Sequence, residues 1–175
     1  TLNREIPTYL ASMAVADFAV MERNLQSLNG NVPLQVFYFP SDSAAVYRNF
    51  EKFDSAFANM ERLFGAFPFE RVGYCTTPQG SMEHVDNIAF VRSLASSFSL
   101  SSQSVMVHEF AHSWFGNLIT CESAGDMWIN EGWTTFTERL SLEAMHGSEY
   151  AKEHFCQKAE EVIAKLPYRE GVFAL

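Results

Sequence analysis

The longest regular pattern in the chain runs from Ala44 to Phe64, where Val46, Phe50, Phe53, Phe57, Met60 and Phe64 recur at three- and four-residue steps. That spacing lays one apolar stripe along a helix and predicts a helix over 44–64. Gly65 is a natural stop, and Ser41 or Asp42, after Pro40, is placed to cap the start. Upstream, residues 8–39 read as strands: TYLASMAVADF is small and apolar, LNGN at 28–31 supplies a turn, and VPLQVFYFP follows. RVGYCTTP (71–78) and HVDNIAFVR (84–92) read as two strands joined by the PQGSME turn. A serine-rich loop, SLASSFSLSS, leads into an apolar helix with Ser101 or Ser102 as its cap. ITCESAGD reads as a loop or short strand. WINEGWTTFTERLSLEAMHG then reads as a helix closed by Gly147, and SEYAKEHFCQKAEEVIAKL as a further amphipathic helix capped by Ser148. Strands first and helices after imply an α+β fold.

Composition narrows the partners. The 175 residues suffice for one domain, or one domain and part of another, and 16 phenylalanines supply core material. A net charge of -9 leaves no basic stripe for phosphates, so nucleic acid is not an expected partner. Cys75, Cys121 and Cys156 are too widely spaced for a C-x-x-C zinc site or a dense disulfide scaffold, and the odd count favours free thiols. The best membrane candidate, YLASMAVADFAVM, is interrupted by Ser12 and Asp17, so no transmembrane segment is expected. Thr1 is not an initiator methionine and GVFAL is not a natural-looking end, so the chain reads as a piece of a longer protein whose compartment stays unread.

The chemistry concentrates in VMVHEFAHSWFGN, residues 105–117. Four residues turn a helix through about 400°, so His108 and His112 project from one face, one turn apart. That suits two imidazoles reaching one zinc at about 2.0–2.1 Å. Glu109 follows His108 on the helix and lies less than a quarter-turn from His112's direction, so it can reach a metal-bound water without being a ligand. A catalytic zinc needs a third protein ligand, and Glu131 is the candidate: it sits on the next predicted helix, with 18 residues between it and His112. A satisfied pair of core histidines is the alternative for a bare H-E-x-x-H, and Asn130-Glu131-Gly132 at this distance argues against it. His146, beside the helix-ending Gly147, suits the negative end of the helix dipole, and His154 reads as solvent-facing.

HEFAHSWFGNLIT followed by WINEGWTTFTERL resembles the gluzincin zinc aminopeptidases, the family of aminopeptidase N and the leukotriene epoxide hydrolase/aminopeptidase. The family carries H-E-x-x-H, 18 residues, then a glutamate within W-x-N-E-G. It also carries a G-x-M-E-N strand upstream, which Gly80-Ser81-Met82-Glu83-His84 resembles, with Glu83 25 residues before His108. The two motifs span residues 80–138, and PTYLASMAVADF and VFYFP agree more loosely with the family's flanking segments. The resemblance implies a thermolysin-like catalytic domain over 40–175, incomplete at its C-terminus, with 1–39 as closing strands of an N-terminal β-domain and the entry to the catalytic domain. It implies a small mixed sheet packed against helices, one of which binds a single Zn2+.

On that resemblance, His108, His112 and Glu131 are the metal ligands and Glu109 is the general base, later acid. Glu83 pairs with the substrate's free α-ammonium, and Gly80, Ser81 and Met82 line an extended peptide. Asn130, Thr135 and Glu138, with Thr134 beside them, are positioned to hydrogen-bond the ligands. His84 stands where the family has asparagine, and beside a substrate ammonium it is expected to be neutral or turned away. The family's oxyanion-stabilising tyrosine lies further downstream than Tyr150 or Tyr168, so it is expected beyond Leu175. The isolated chain is then expected to bind zinc and turn over poorly. The implied substrates are peptides with a free N-terminus, and the implied partners are the remaining domains of the full-length protein. Epoxide hydrolysis on the same scaffold, an endopeptidase, and a non-catalytic scaffold are the alternatives.

Overall fold

The computed structural model describes residues 6–169, with side chains described as far as 164. A four-stranded mixed sheet carries the helices: β1 (Ala19–Ser27), β2 (Gly30–Tyr38), β3 (Val72–Thr77) and β4 (Ile88–Val91), in that spatial order. β1 and β2 form an antiparallel hairpin about Leu28–Asn29, whereas β2, β3 and β4 run parallel. The helices are α1 (Ser43–Phe50), α2 (Phe53–Phe64), α3 (Arg92–Ala95), α4 (Leu100–Ala111), α5 (Met127–His146) and α6 (Ser148–Arg169). This is the α+β arrangement expected, with a mixed sheet against helices. Among the described residues no helix is long and apolar enough to cross a membrane, and the three cysteines are free.

On β2 the alternation Val32, Leu34, Val36, Tyr38 buries one face. Phe50, Phe53 and Phe57 of α1 and α2 fill the space beneath it, together with Tyr74, Phe90 and Phe110. Phe53 and Phe57 meet Phe110 at ring-centroid distances of 4.9 and 5.9 Å, which seats α4 on α2. Tyr74, fully buried, donates its hydroxyl to Met106 O at 2.8 Å and so fastens α4 to the sheet.

Several local expectations are corrected. Residues 8–18 are not a strand: Thr8–Leu10 form a short 3-10 turn, and the segment from Ala11 to Asp17 is exposed, with no buried face to reward alternation. The 44–64 helix is two helices broken at Glu51–Lys52. The stripe continues across the break because both pieces pack on the same core, and Arg23 Nη2 takes up the Phe50 carbonyl at 2.7 Å. Asp42 stands at the N-cap position of α1 but makes no capping bond; its carboxylate pairs with Arg92 instead, at 2.7 Å. The cap of α4 is Ser99, whose hydroxyl accepts from Ser102 N at 3.1 Å, rather than Ser101 or Ser102.

The strands at 72–77 and 88–91 are parallel, not a hairpin. The connection runs out along the far side of β4, where Met82 and Ala89 exchange backbone bonds of 3.1 and 2.9 Å, and then doubles back to start β4. The doubling-back uses Asp86 at φ 58° and a close approach to β3: a Cβ on Gly73 would stand 2.0 Å from the Asp86 carbonyl oxygen. Gly73 is therefore what lets the loop carrying Glu83 lie down on the sheet.

Candidate metal centre

α4 is buried along most of its length, and its histidines emerge at its C-terminal end facing α5. His112 is 2% exposed, and Glu109 and Glu83 are 8% exposed. Glu131, in the first turns of α5, reaches across to them. Its Oε2 lies 3.4 Å from His108 Nε2 and 3.7 Å from His112 Nε2, and one donor atom from each of the three falls within 4.8 Å of the others. Glu83, Glu109 and His112 form a second such trio, so His112 belongs to both.

The far side of each imidazole is fixed. His112 Nδ1 lies 2.9 Å from the Phe115 carbonyl, which can only accept, so the proton sits on Nδ1 and Nε2 presents a lone pair. Thr134 Oγ1 lies 3.2 Å from the same nitrogen and also reaches the Phe115 carbonyl. His108 Nδ1 lies 3.2 Å from Glu138 Oε2. Two imidazoles with their Nε2 atoms turned to one carboxylate form the nitrogen-and-oxygen donor set of a three-ligand zinc site, so these residues fit the metal.

Electrostatics follow from burial. Burial pushes the Glu109 carboxyl up to about 7, against the attraction of His108 and with the help of the Glu83, Glu131 and Glu138 charges. Burial also lowers His112. For His108, burial pulls down, but the hydrogen bond and charge of Glu138, together with the charges of Glu109 and Glu131, outweigh it and the net shift is upward. Glu138 goes the other way: burial opposes ionisation, yet hydrogen bonds from His108, Lys158 and Ser104 hold it at about 2.

The remaining expected residues are placed as follows. Glu83 is set by Asn117, whose Nδ2 donates to the Glu83 carbonyl at 2.7 Å. Gly80, at φ 68°, has its carbonyl bonded by Thr77 Oγ1 at 2.8 Å, Ser81 Oγ accepts from Val91 N at 3.1 Å, and Met82 makes the bridge to Ala89. Asn130 Oδ1 accepts from Cys121 N at 3.2 Å, tying down the loop between α4 and α5. Thr135 is half-buried, one residue along from the Thr134 that meets His112. Burial lowers the pKa of His84 despite the nearby Glu83, which favours the neutral ring.

Two histidines differ from expectation. His154 is not solvent-facing: its side chain is 15% exposed and its Nε2 lies 3.3 Å from Ser104 Oγ. Burial lowers His146, which favours the neutral ring over a helix-end cation, and its Nε2 lies 2.8 Å from Gln103 Oε1. Tyr150 packs its ring on His146 at 4.7 Å, and the Tyr168 side chain lies outside the described residues.

Residues the pattern did not single out also build the site. Asn117 and Gly116 lie inside the quoted stretch, and Gly116, at φ 127°, leaves room where a Cβ would stand 3.1 Å from His112 Nδ1. Thr134, already named among the helix neighbours of Glu131, is the one of them that meets His112. Lys158 could not have been found from the pattern, because nothing in its own helix marks it.

The sheet, the helix pair and this donor set define the metallopeptidase class to which known proteins of the same fold belong. Residues 69–167 match the peptidase family M1 domain, and the chain belongs to that family. It is 29% identical to aminopeptidase B of Mus musculus over 153 residues, covering 85% of this chain and 22% of that protein. It is 33% identical to leucine aminopeptidase 2 of Yarrowia lipolytica over 177 residues, covering 95% of this chain and 26% of that one. An M1 zinc metallopeptidase from Deinococcus radiodurans, solved as a mutant bound to a Tyr-Ser-Ala substrate, superposes with a TM-score of 0.76 at 21% identity. That match covers 93% of this chain and 37% of the other, and it shows the shared fold. The chain thus spans about a quarter of the length of the curated relatives it matches.

Proposed function

We propose that this chain carries the zinc centre of an aminopeptidase that removes residues from peptides with a free N-terminus. The observation that carries the reading is that Glu83 and Glu109 converge on His112, while His112, His108 and Glu131 converge on one another. Zinc bound there supplies Lewis acidity and a water of lowered pKa.

The chain's own residues do the rest. His108 and His112 present Nε2 because Glu138 and the Phe115 carbonyl hold their Nδ1 protons. Glu109 accepts a proton from the attacking water and returns it to the leaving amine. Glu83, a buried carboxylate, pairs with the substrate's α-ammonium and so places the first peptide bond against the metal. The M1 relatives named aminopeptidases support this assignment. Thr134 and Glu138 are read as the groups that orient the ligands.

The test is metal content together with turnover of matched free and N-acetylated peptides by the complete protein. One zinc per chain, loss of turnover in Glu109→Gln, and dependence on a free amine that weakens in Glu83→Ala are expected. Absence of zinc, or equal turnover of blocked peptides by wild type, would overturn the reading. An apolar epoxide offered in parallel separates peptide from epoxide hydrolysis.

A further inference from the structure

Glu138 has two oxygens with different tasks. Oε2 faces His108 Nδ1, and Oε1 receives Lys158 Nζ at 2.6 Å and the Ser104 hydroxyl. Lys158 belongs to α6, 20 residues further along, and its Nζ also donates to Ser104 Oγ at 3.3 Å. His154, one turn earlier on α6, closes the group at 3.3 Å from Ser104 Oγ and 3.6 Å from Glu138 Oε1.

We infer that Lys158 is a positioning residue for the metal centre, holding the Glu138 carboxylate so that His108 keeps its Nε2 aimed at the metal. Three observations support it. The Glu138 side chain is only 4% exposed, so water cannot be its main partner. Its neighbourhood already holds Glu109 and Glu131, whose charges act on the same His108. And a ligand histidine must be neutral, so His108 cannot be the cation that balances Glu138. Lys158 fills that place with its ammonium, 2.6 Å from Oε1. Because it bonds the carboxylate and the serine together, it fixes the rotation of the carboxylate plane as well as its charge. Without it, Oε1 keeps only the Ser104 hydroxyl and His154, and the carboxylate is free to turn away from Nδ1.

This inference rests on the zinc reading above, and its test separates the two. Zinc affinity is measured by competition with a chromogenic chelator on the complete protein, for wild type, Lys158→Met and Lys158→Arg, with melting curves of each metal-free protein. Loss of an outer-shell partner typically weakens metal binding about 10–100-fold. Lys158→Met is expected at about the lower end, with an altered visible spectrum in the cobalt-substituted protein, and Lys158→Arg is expected to recover most of the affinity. Lys158 is 44% exposed, so its replacement leaves no buried gap. Wild-type affinity and an unchanged cobalt spectrum in Lys158→Met would overturn the inference, as would a loss that Lys158→Arg does not reduce at all. A wild type that binds no zinc would instead overturn the metal assignment.

Discussion

Replacing Gly116 by alanine tests whether the turn after α4, and not only the helix, shapes the metal site. Gly116 sits at φ 127°, a conformation L side chains rarely adopt, so Gly116→Ala carries backbone strain of about 1–3 kcal/mol. A second effect adds to this. The new Cβ would lie 3.1 Å from His112 Nδ1, inside normal contact, and the ring must give by a few tenths of an ångström. That ring is held at 2.9 Å by the Phe115 carbonyl, so the displacement strains the bond that sets its tautomer and aim. The chemistry therefore predicts two readouts. Metal-free protein should melt lower, by roughly 4–8 °C for a loss of ~2 kcal/mol in a domain of this size. Zinc affinity should fall about 10-fold or more, as for other losses of ligand orientation. Calorimetry and chelator competition measure these separately. A Gly116→Ala protein with wild-type melting and wild-type zinc affinity would refute the argument, and lower melting with intact affinity would refute its second half.

Three further outcomes are expected. Asn117→Ala removes the 2.7 Å bond to the Glu83 carbonyl and should raise KM for free-amine peptides more than it lowers kcat; an unchanged KM would show that Glu83 is held by other means. Gly73→Ala places a Cβ against the Asp86 backbone carbonyl and should cost at least about 1–3 kcal/mol by urea unfolding, with wild-type stability showing that the loop can lift freely. Asp42 is held below the usual carboxylate range by its hydrogen bond from Arg92, so that contribution is present above about pH 3.9 and lost as pH falls through the lowered folded value. The melting difference between wild type and Asp42→Asn should therefore be positive at pH 7 and shrink below about pH 4; a difference that stays constant down to pH 2 would contradict the pairing.

Much was legible in the sequence because it lives in short-range geometry. Histidines four apart must share a helix face, Gly147 at φ 93° must end α5, and the Phe50–Phe64 stripe must face a core whether or not the helix breaks at Glu51. The parallel pairing of β3 and β4 was not legible. Periodicity reports which residues alternate and not which neighbour they meet, and the reversal depends on Asp86 fitting against Gly73. The same holds at the site. The sequence by itself determined that two imidazoles and a glutamate leave one face of α4, and the distance to Glu131 suggested a third donor. Only the tertiary structure decided that Asn117 grips Glu83, that Thr134 rather than Thr135 reaches His112, and that Lys158 and His154 close on Glu138 from α6. Those contacts join segments tens of residues apart, and their energy comes from burial that no local pattern encodes.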